Sequence, residues 1–122
     1  MKNKVLAVLI LLAMSCSSPV ELTGVDLDSW KSDRFGCKGD RLGEVQNVID
    51  QQDILLGISA DDLAATLGKP DQVELYKRSQ KFLIYFLDPA PDCEQYEDDT
   101  EPRLLKIRVD ALGRVKELLM LP

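Results

Sequence analysis

Apolar residues recur at Leu42, Val45, Val48 and Ile49 and run on into Ile54-Leu55-Leu56. Spacings of three and four put these side chains on one face, so Arg41–Asp53 is predicted as an amphipathic helix punctuated by Gly57. A second helix is better bounded. Ser59 suits an N-cap, Asp61 and Asp62 sit in the first turn, and Leu63 and Leu67 share a face. Gly68 ends it and Pro70 bars its resumption, which sets the helix at Ser59–Leu67.

Beyond Pro70 the period changes to two. Val73–Lys77 is a candidate first strand, and Lys81–Leu87 (KFLIYFL) is apolar on both faces, as a central strand is. In Arg103–Val109, Leu105, Ile107 and Val109 alternate with Lys106 and Arg108. Asp110–Gly113 makes a turn and Arg114–Leu121 returns as the last strand. The order predicts an α+β fold, two helices packed on one face of a three- to four-stranded antiparallel meander. The opposite face is expected to show Lys106, Arg108 and Tyr85 or Tyr76 to solvent. Tyr85, Lys106 and Arg108 are therefore candidate partner-binding residues, because interfaces favour aromatic residues and arginine. The plainer reading of the same cations is the wet side of an antiparallel strand.

Two stretches fall outside the periodic pattern. Asp28–Asp40 is irregular, with Trp30 and Phe35 available to pack it onto the domain. Asp88–Pro102 (DPAPDCEQYEDDTEP) holds three prolines and seven acids, so it is a loop of a length that signals function or disorder.

The first sixteen residues carry a different pattern. Lys2 and Lys4 precede an unbroken apolar run, Val5–Leu12, then Ala13-Met14-Ser15 and Cys16. A membrane-spanning helix needs roughly 20 apolar residues, about twice this run. The segment fits a signal peptide cut after residue 15. Two processing readings share that cut. Ala13 and Ser15 form an ordinary small-x-small site that releases a soluble protein; with Cys16 next, the same residues form a lipobox for lipidation of Cys16. The lipoprotein reading is preferred, with two or three acyl chains giving stable attachment at about 0.8 kcal/mol per buried CH₂. Residues 16–27 then form the lipidated N-terminus and a polar tether, and residues 28–122 a single domain. With no acid directly after Cys16, the expected location is the outer membrane, facing the periplasm.

Composition narrows the chemistry. The chain of 122 residues has a formal charge of −6, more negative once Lys2 and Lys4 are removed. That balance argues against nucleic acid as a partner. There is no histidine, which removes the commonest general base and the commonest transition-metal ligand. Once Cys16 is lipidated, Cys37 and Cys93 remain as an even pair in an oxidising compartment. A disulfide between them would close a loop of about 57 residues and contribute roughly 4 kcal/mol; the alternative is two unconnected thiols. Cys37 lies near Lys38 and Arg34, but with no histidine to act as base a nucleophilic role is not expected. The acids of the 88–102 loop match no calcium-binding loop and are taken as a solvated charge run. No catalytic residue, metal or cofactor is expected.

Gly57-Ile58-Ser59-Ala60-Asp61-Asp62-Leu63 followed by Leu67-Gly68-Lys69-Pro70 resembles the signature of the BamE (SmpA/OmlA) lipoproteins. Lys81–Leu87 falls where that family has its aromatic strand, and Leu104–Asp110 with Gly113-Arg114-Val115 where it has its last hairpin. The resemblance covers roughly residues 57–119. It implies two helices on a three-stranded sheet and a role beside the machinery that assembles outer-membrane barrels. The functional expectation is a lipid-anchored, non-enzymatic protein-binding domain. The alternative is a periplasmic inhibitor or ligand-binding module.

Overall fold

A computed structural model describes residues 18–122, so the signal segment and Cys16 lie outside the described residues. Four short helices come first: α1 (Leu27–Ser32), α2 (Asp40–Asp50), α3 (Gln52–Leu55) and α4 (Ala60–Leu67). Four strands follow, β1 (Gln72–Tyr76), β2 (Gln80–Phe86), β3 (Leu104–Val109) and β4 (Val115–Leu121), antiparallel in the order β1-β2-β3-β4. This is the expected α+β meander, with the fourth strand present. Both hairpin turns, β1–β2 and β3–β4, lie at one end of the sheet, and the β2–β3 loop lies at the other.

Local chemistry accounts for the elements. Ser59 accepts from the Asp62 amide at 3.0 Å and Gly68 takes φ +83°, closing α4 where its sequence says. The single long helix expected over Arg41–Asp53 is broken at Gln51, whose φ of −106° leaves the helical region. The break frees its amide to bracket Thr23: Oε1 accepts from the Thr23 amide at 2.8 Å and Nε2 donates to its carbonyl at 2.7 Å. Helix α1 falls within the stretch expected to be irregular. Asp26 caps it by accepting from Ser29, and it buries Trp30 completely.

The main core lies between the helices and the inner sheet face. Leu83, Tyr85, Leu87, Leu105, Ile107, Val109 and Val115 meet Trp30, Val45, Val48, Leu55, Leu63 and Leu67. Burying each such aliphatic side chain contributes about 1.5–3 kcal/mol. A second, smaller cluster sits on the outer face at the loop end, where Ile84 and Phe86 pack with Ala90, Phe35 and Leu104. Strand β2 is apolar on both faces because each face has its own cover.

The tether expected over residues 16–27 is, from Ser18 on, part of the packed domain. The Ser18 amide donates to Asp62 at 2.8 Å and the Val20 amide to Thr66 at 2.9 Å, so the chain runs along α4. Leu22 is buried, Asn47 donates to the Gly24 carbonyl, and the Asp26 amide donates to Glu44. Composition alone missed this because the backbone bonds of a polar segment are met here by side chains of α2 and α4.

Cys37 and Cys93 are joined, with Cα atoms 5.5 Å apart. The bridge ties the start of the acidic loop to a 3₁₀ turn, Arg34–Gly36, that crosses the end of β2. Gly36 is required there: at φ +68° a Cβ would collide with the Asp88 carbonyl and press on that of Phe86.

Candidate functional site

The three candidate surface residues do not share a face. In β2, side chains alternate, and Tyr85 falls in phase with Leu83 and Leu87, pointing into the core with no exposed area. The expectation that Tyr85 meets a partner is corrected by this one-residue phase. Its hydroxyl donates to the Gly68 carbonyl at 2.7 Å, and its ring lies 6.2 Å from that of Trp30. Burial raises its pKa far above the usual phenol value, against the lowering effect of Arg41. The folded state thus favours the neutral phenol. That contribution is whole below pH ~10 and is lost as pH climbs above it. In an alkaline titration followed at 295 nm, the phenolate signal of Tyr85 is expected to appear only together with loss of the fold, and Tyr85→Phe is expected to abolish that late step. An ordinary early ionisation of Tyr85 would contradict its burial.

Lys106 and Arg108 do lie on the outer face, but each is occupied. Lys106 Nζ sits 4.3 Å from the centre of the Phe82 ring and 3.4 Å from Glu74. Arg108 donates to Glu117 at 3.0 Å and to Gln80 at 2.8 Å. These are cross-strand bridges between partly exposed groups, worth little individually, and they tile the hairpin half of the face with neutralised charge.

The loop half of that face is different. Ile84, Phe86, Leu104 and Leu121 form the apolar floor of an open trough of ≈ 450 Å³, walled by Pro91 and Pro102 of the loop and edged by Glu74 and Glu101. Ile84 and Phe86 are nearly covered by the cluster beneath the loop, whereas Leu121 is 36% exposed. The loop that forms the wall is fastened at its base. Arg103 donates to both carboxylate oxygens of Asp88, at 2.7 and 2.9 Å, and these bonds hold the Asp88 carboxyl below its usual range. Ala90 donates to the Phe35 carbonyl at 3.0 Å. From Glu94 to Glu101 the loop is mostly exposed and wholly without lysine or arginine. Among the described residues no three ligating side chains converge on a metal position, and Cys37 and Cys93 are spent on each other. No helix among them is long and apolar enough to cross a membrane.

Sequence reasoning missed one polar feature of the interior. Arg41 is completely buried, with Nη1 2.6 Å from Asp71, Nε 2.9 Å from the Trp30 carbonyl, and its guanidinium 5.6 and 5.4 Å from the rings of Trp30 and Tyr85. Nη2 has no protein partner. Asp71 gathers the Phe35 and Phe86 amides as well, and Asp33 accepts from the Lys38 and Arg41 amides. Apart from Arg41 Nη2, which is itself buried, the groups of this network are bonded to other parts of the same chain, so it organises the domain. Compared with models of protein families, with curated proteins and with solved structures, the chain matches none.

Proposed function

We propose that this chain is a lipid-anchored envelope protein of bacteria whose domain binds another protein through the trough on the outer sheet face. The observation that supports this is the trough itself: an apolar floor left open beside a loop that a disulfide and an Arg–Asp pair hold in place. With Glu74 held by Lys106, Glu101 is the acid left on the edge of the apolar floor, which suits an apolar segment bearing lysine or arginine, not a small polar substrate. The lipobox at Cys16 and the resemblance of Gly57–Pro70 support an accessory role beside outer-membrane assembly, at the outer membrane and facing the periplasm. The domain acts by binding and not by catalysis.

The test is affinity capture from cross-linked native membranes, comparing the wild type with Leu104→Arg and Leu121→Arg. The wild type is expected to recover one dominant envelope protein, with components of barrel assembly as the first to look for. Each charged variant is expected to lose that protein. Leu121→Arg is expected to keep its unfolding midpoint close to wild type, since Leu121 is 36% exposed, whereas Leu104 packs on the outer cluster, so Leu104→Arg is expected to lower it. Recovery should fall steeply with added salt. Equal recovery by wild type and both variants would reject the trough as the binding surface.

A further inference from the structure

The end of the sheet that carries the two hairpin turns has a composition opposite to the rest of the molecule. Between Tyr76 and Lys81, and between Asp110 and Lys116, stand five cations, Lys77, Arg78, Lys81, Arg114 and Lys116, all exposed. The one acid in those turns, Asp110, is paired with Lys116 at 3.5 Å. Leu112 at the tip of the second turn is 87% exposed and Leu75 beside the first is 80% exposed. The acids of α4 that face this end are Asp61 and Asp62, and Asp62 is engaged by the Ser18 amide. At the opposite end, the 88–102 loop holds seven acids and no cation. A chain of net charge −6 has thus separated its charge along the strand direction.

The N-terminus of the packed chain arrives at this same cationic end. Ser18 is bonded to Asp62 in the first turn of α4. That turn is joined to the β3–β4 turn by the Ala60 amide on the Gly113 carbonyl, at 2.9 Å, and by the Ser59–Arg114 bridge. Cys16 precedes Ser18 by two residues, a reach of about 7 Å at full extension. Because residues 18–26 are packed and not free, a lipid on Cys16 has almost no leash.

We propose that the hairpin end lies directly on the bilayer surface, with Lys77, Arg78 and Arg114 among phosphate-bearing headgroups and Leu112 dipping into the interface. The inference rests on the lipid-anchor reading of Cys16. It sets the acidic loop and the trough at the far end, turned away from the membrane and towards partners in solution. Short attachment dictates the orientation, and the charge separation reinforces it, since an anionic surface attracts one end and repels the other. Leu112 then has a use that its exposure in a two-residue tip otherwise lacks.

The experiment uses the mature lipidated protein, isolated from membranes and reconstituted in vesicles of phosphatidylethanolamine and phosphatidylglycerol that include lipids brominated near the headgroup. Tryptophan is introduced at Leu112→Trp or at Asp98→Trp; buried Trp30 gives a constant background. Emission from position 112 is expected to be quenched severalfold more strongly than from position 98. Lys77→Glu with Arg78→Glu is expected to weaken the quenching at 112 while the protein still floats with the vesicles. Equal quenching at both positions, or none at 112 in protein that floats, overturns the orientation and leaves the anchor intact. Protein that does not float with vesicles overturns the anchor, and the orientation with it.

Discussion

Asp71→Ala is expected to lower the stability of the domain by about 3–5 kcal/mol, seen as a large fall in urea midpoint at unchanged m-value. Asp71 stands between α4 and β1, and its carboxylate is fully buried together with the guanidinium of its partner Arg41. Four donors converge on it: Arg41 Nη1 at 2.6 Å, the Phe86 amide at 2.9 Å, the Phe35 amide at 3.1 Å and Arg34 Nε at 3.3 Å. Removing it strands a buried guanidinium and two backbone N–H groups at once, and each such group costs about 1–3 kcal/mol, more when charged. For a domain whose net stability is about 5–15 kcal/mol, that loss is a large fraction. The pair itself is not expected to give much net stability, because desolvating both ions offsets most of their attraction. Arg41→Met is therefore expected to cost less than Asp71→Ala, since Asp71 keeps its two amides and the half-exposed Arg34. Arg34→Ala is expected to cost about 1 kcal/mol or less. If Asp71→Ala and Arg34→Ala lose the same small amount, Asp71 does not organise the interior as described.

The elements that were legible in the sequence are those whose cause is local. Helix α4 carries its cap, its apolar pair and its stop within ten residues, and β3 alternates without interruption from Leu104 to Val109. The cysteine pair was legible by count. The parts that escaped depend on long-range partners. Gln51 breaks a helix in order to hold Thr23, and nothing near Gln51 announces it. Arg41 looks like an ordinary charged residue at the start of a helix, and only the arrival of Asp71, Trp30 and Tyr85 makes it a core residue. Tyr85 was misplaced because KFLIYFL is apolar at every second position on either phase, so the pattern alone leaves the inner face ambiguous. The trough is the product of that same ambiguity: the even-phase residues Ile84 and Phe86 face outward and are covered by a loop whose path the sequence did not specify, with Leu121 left partly exposed beside them. The loop was recognisable as a loop, but its office as a wall was not.

Opening the Cys37–Cys93 bridge is expected to cost roughly 4 kcal/mol, the chain-entropy value for a closed loop of about 57 residues. The loss should not spread evenly. The main core between helices and sheet has its own contacts, whereas the outer cluster of Ile84, Phe86, Ala90, Phe35 and Leu104 depends on the bridge to hold the loop against β2. The Asp88–Arg103 pair, the Ala90–Phe35 bond and the bond from the Gln95 side chain to the Cys37 carbonyl would then restrain that segment, and the first and last of these are exposed to water. In denaturant, the wild type is expected to shift to a lower midpoint on addition of reductant, while Cys37→Ala with Cys93→Ala should start low and not respond to it. Below the unfolding transition, hydrogen exchange in the reduced protein is expected to rise first at Phe35, Ala90 and Cys93 and last along β3. Partner capture through the trough should fall under the same mild reduction, because the wall that Pro91 supplies is no longer fixed, while attachment to vesicles at the hairpin end should be unchanged. A reduced protein that keeps the wild-type midpoint and its partner would show that the acidic loop holds its place without the bridge. The trough would then be set by the packing of Ile84 and Phe86 alone.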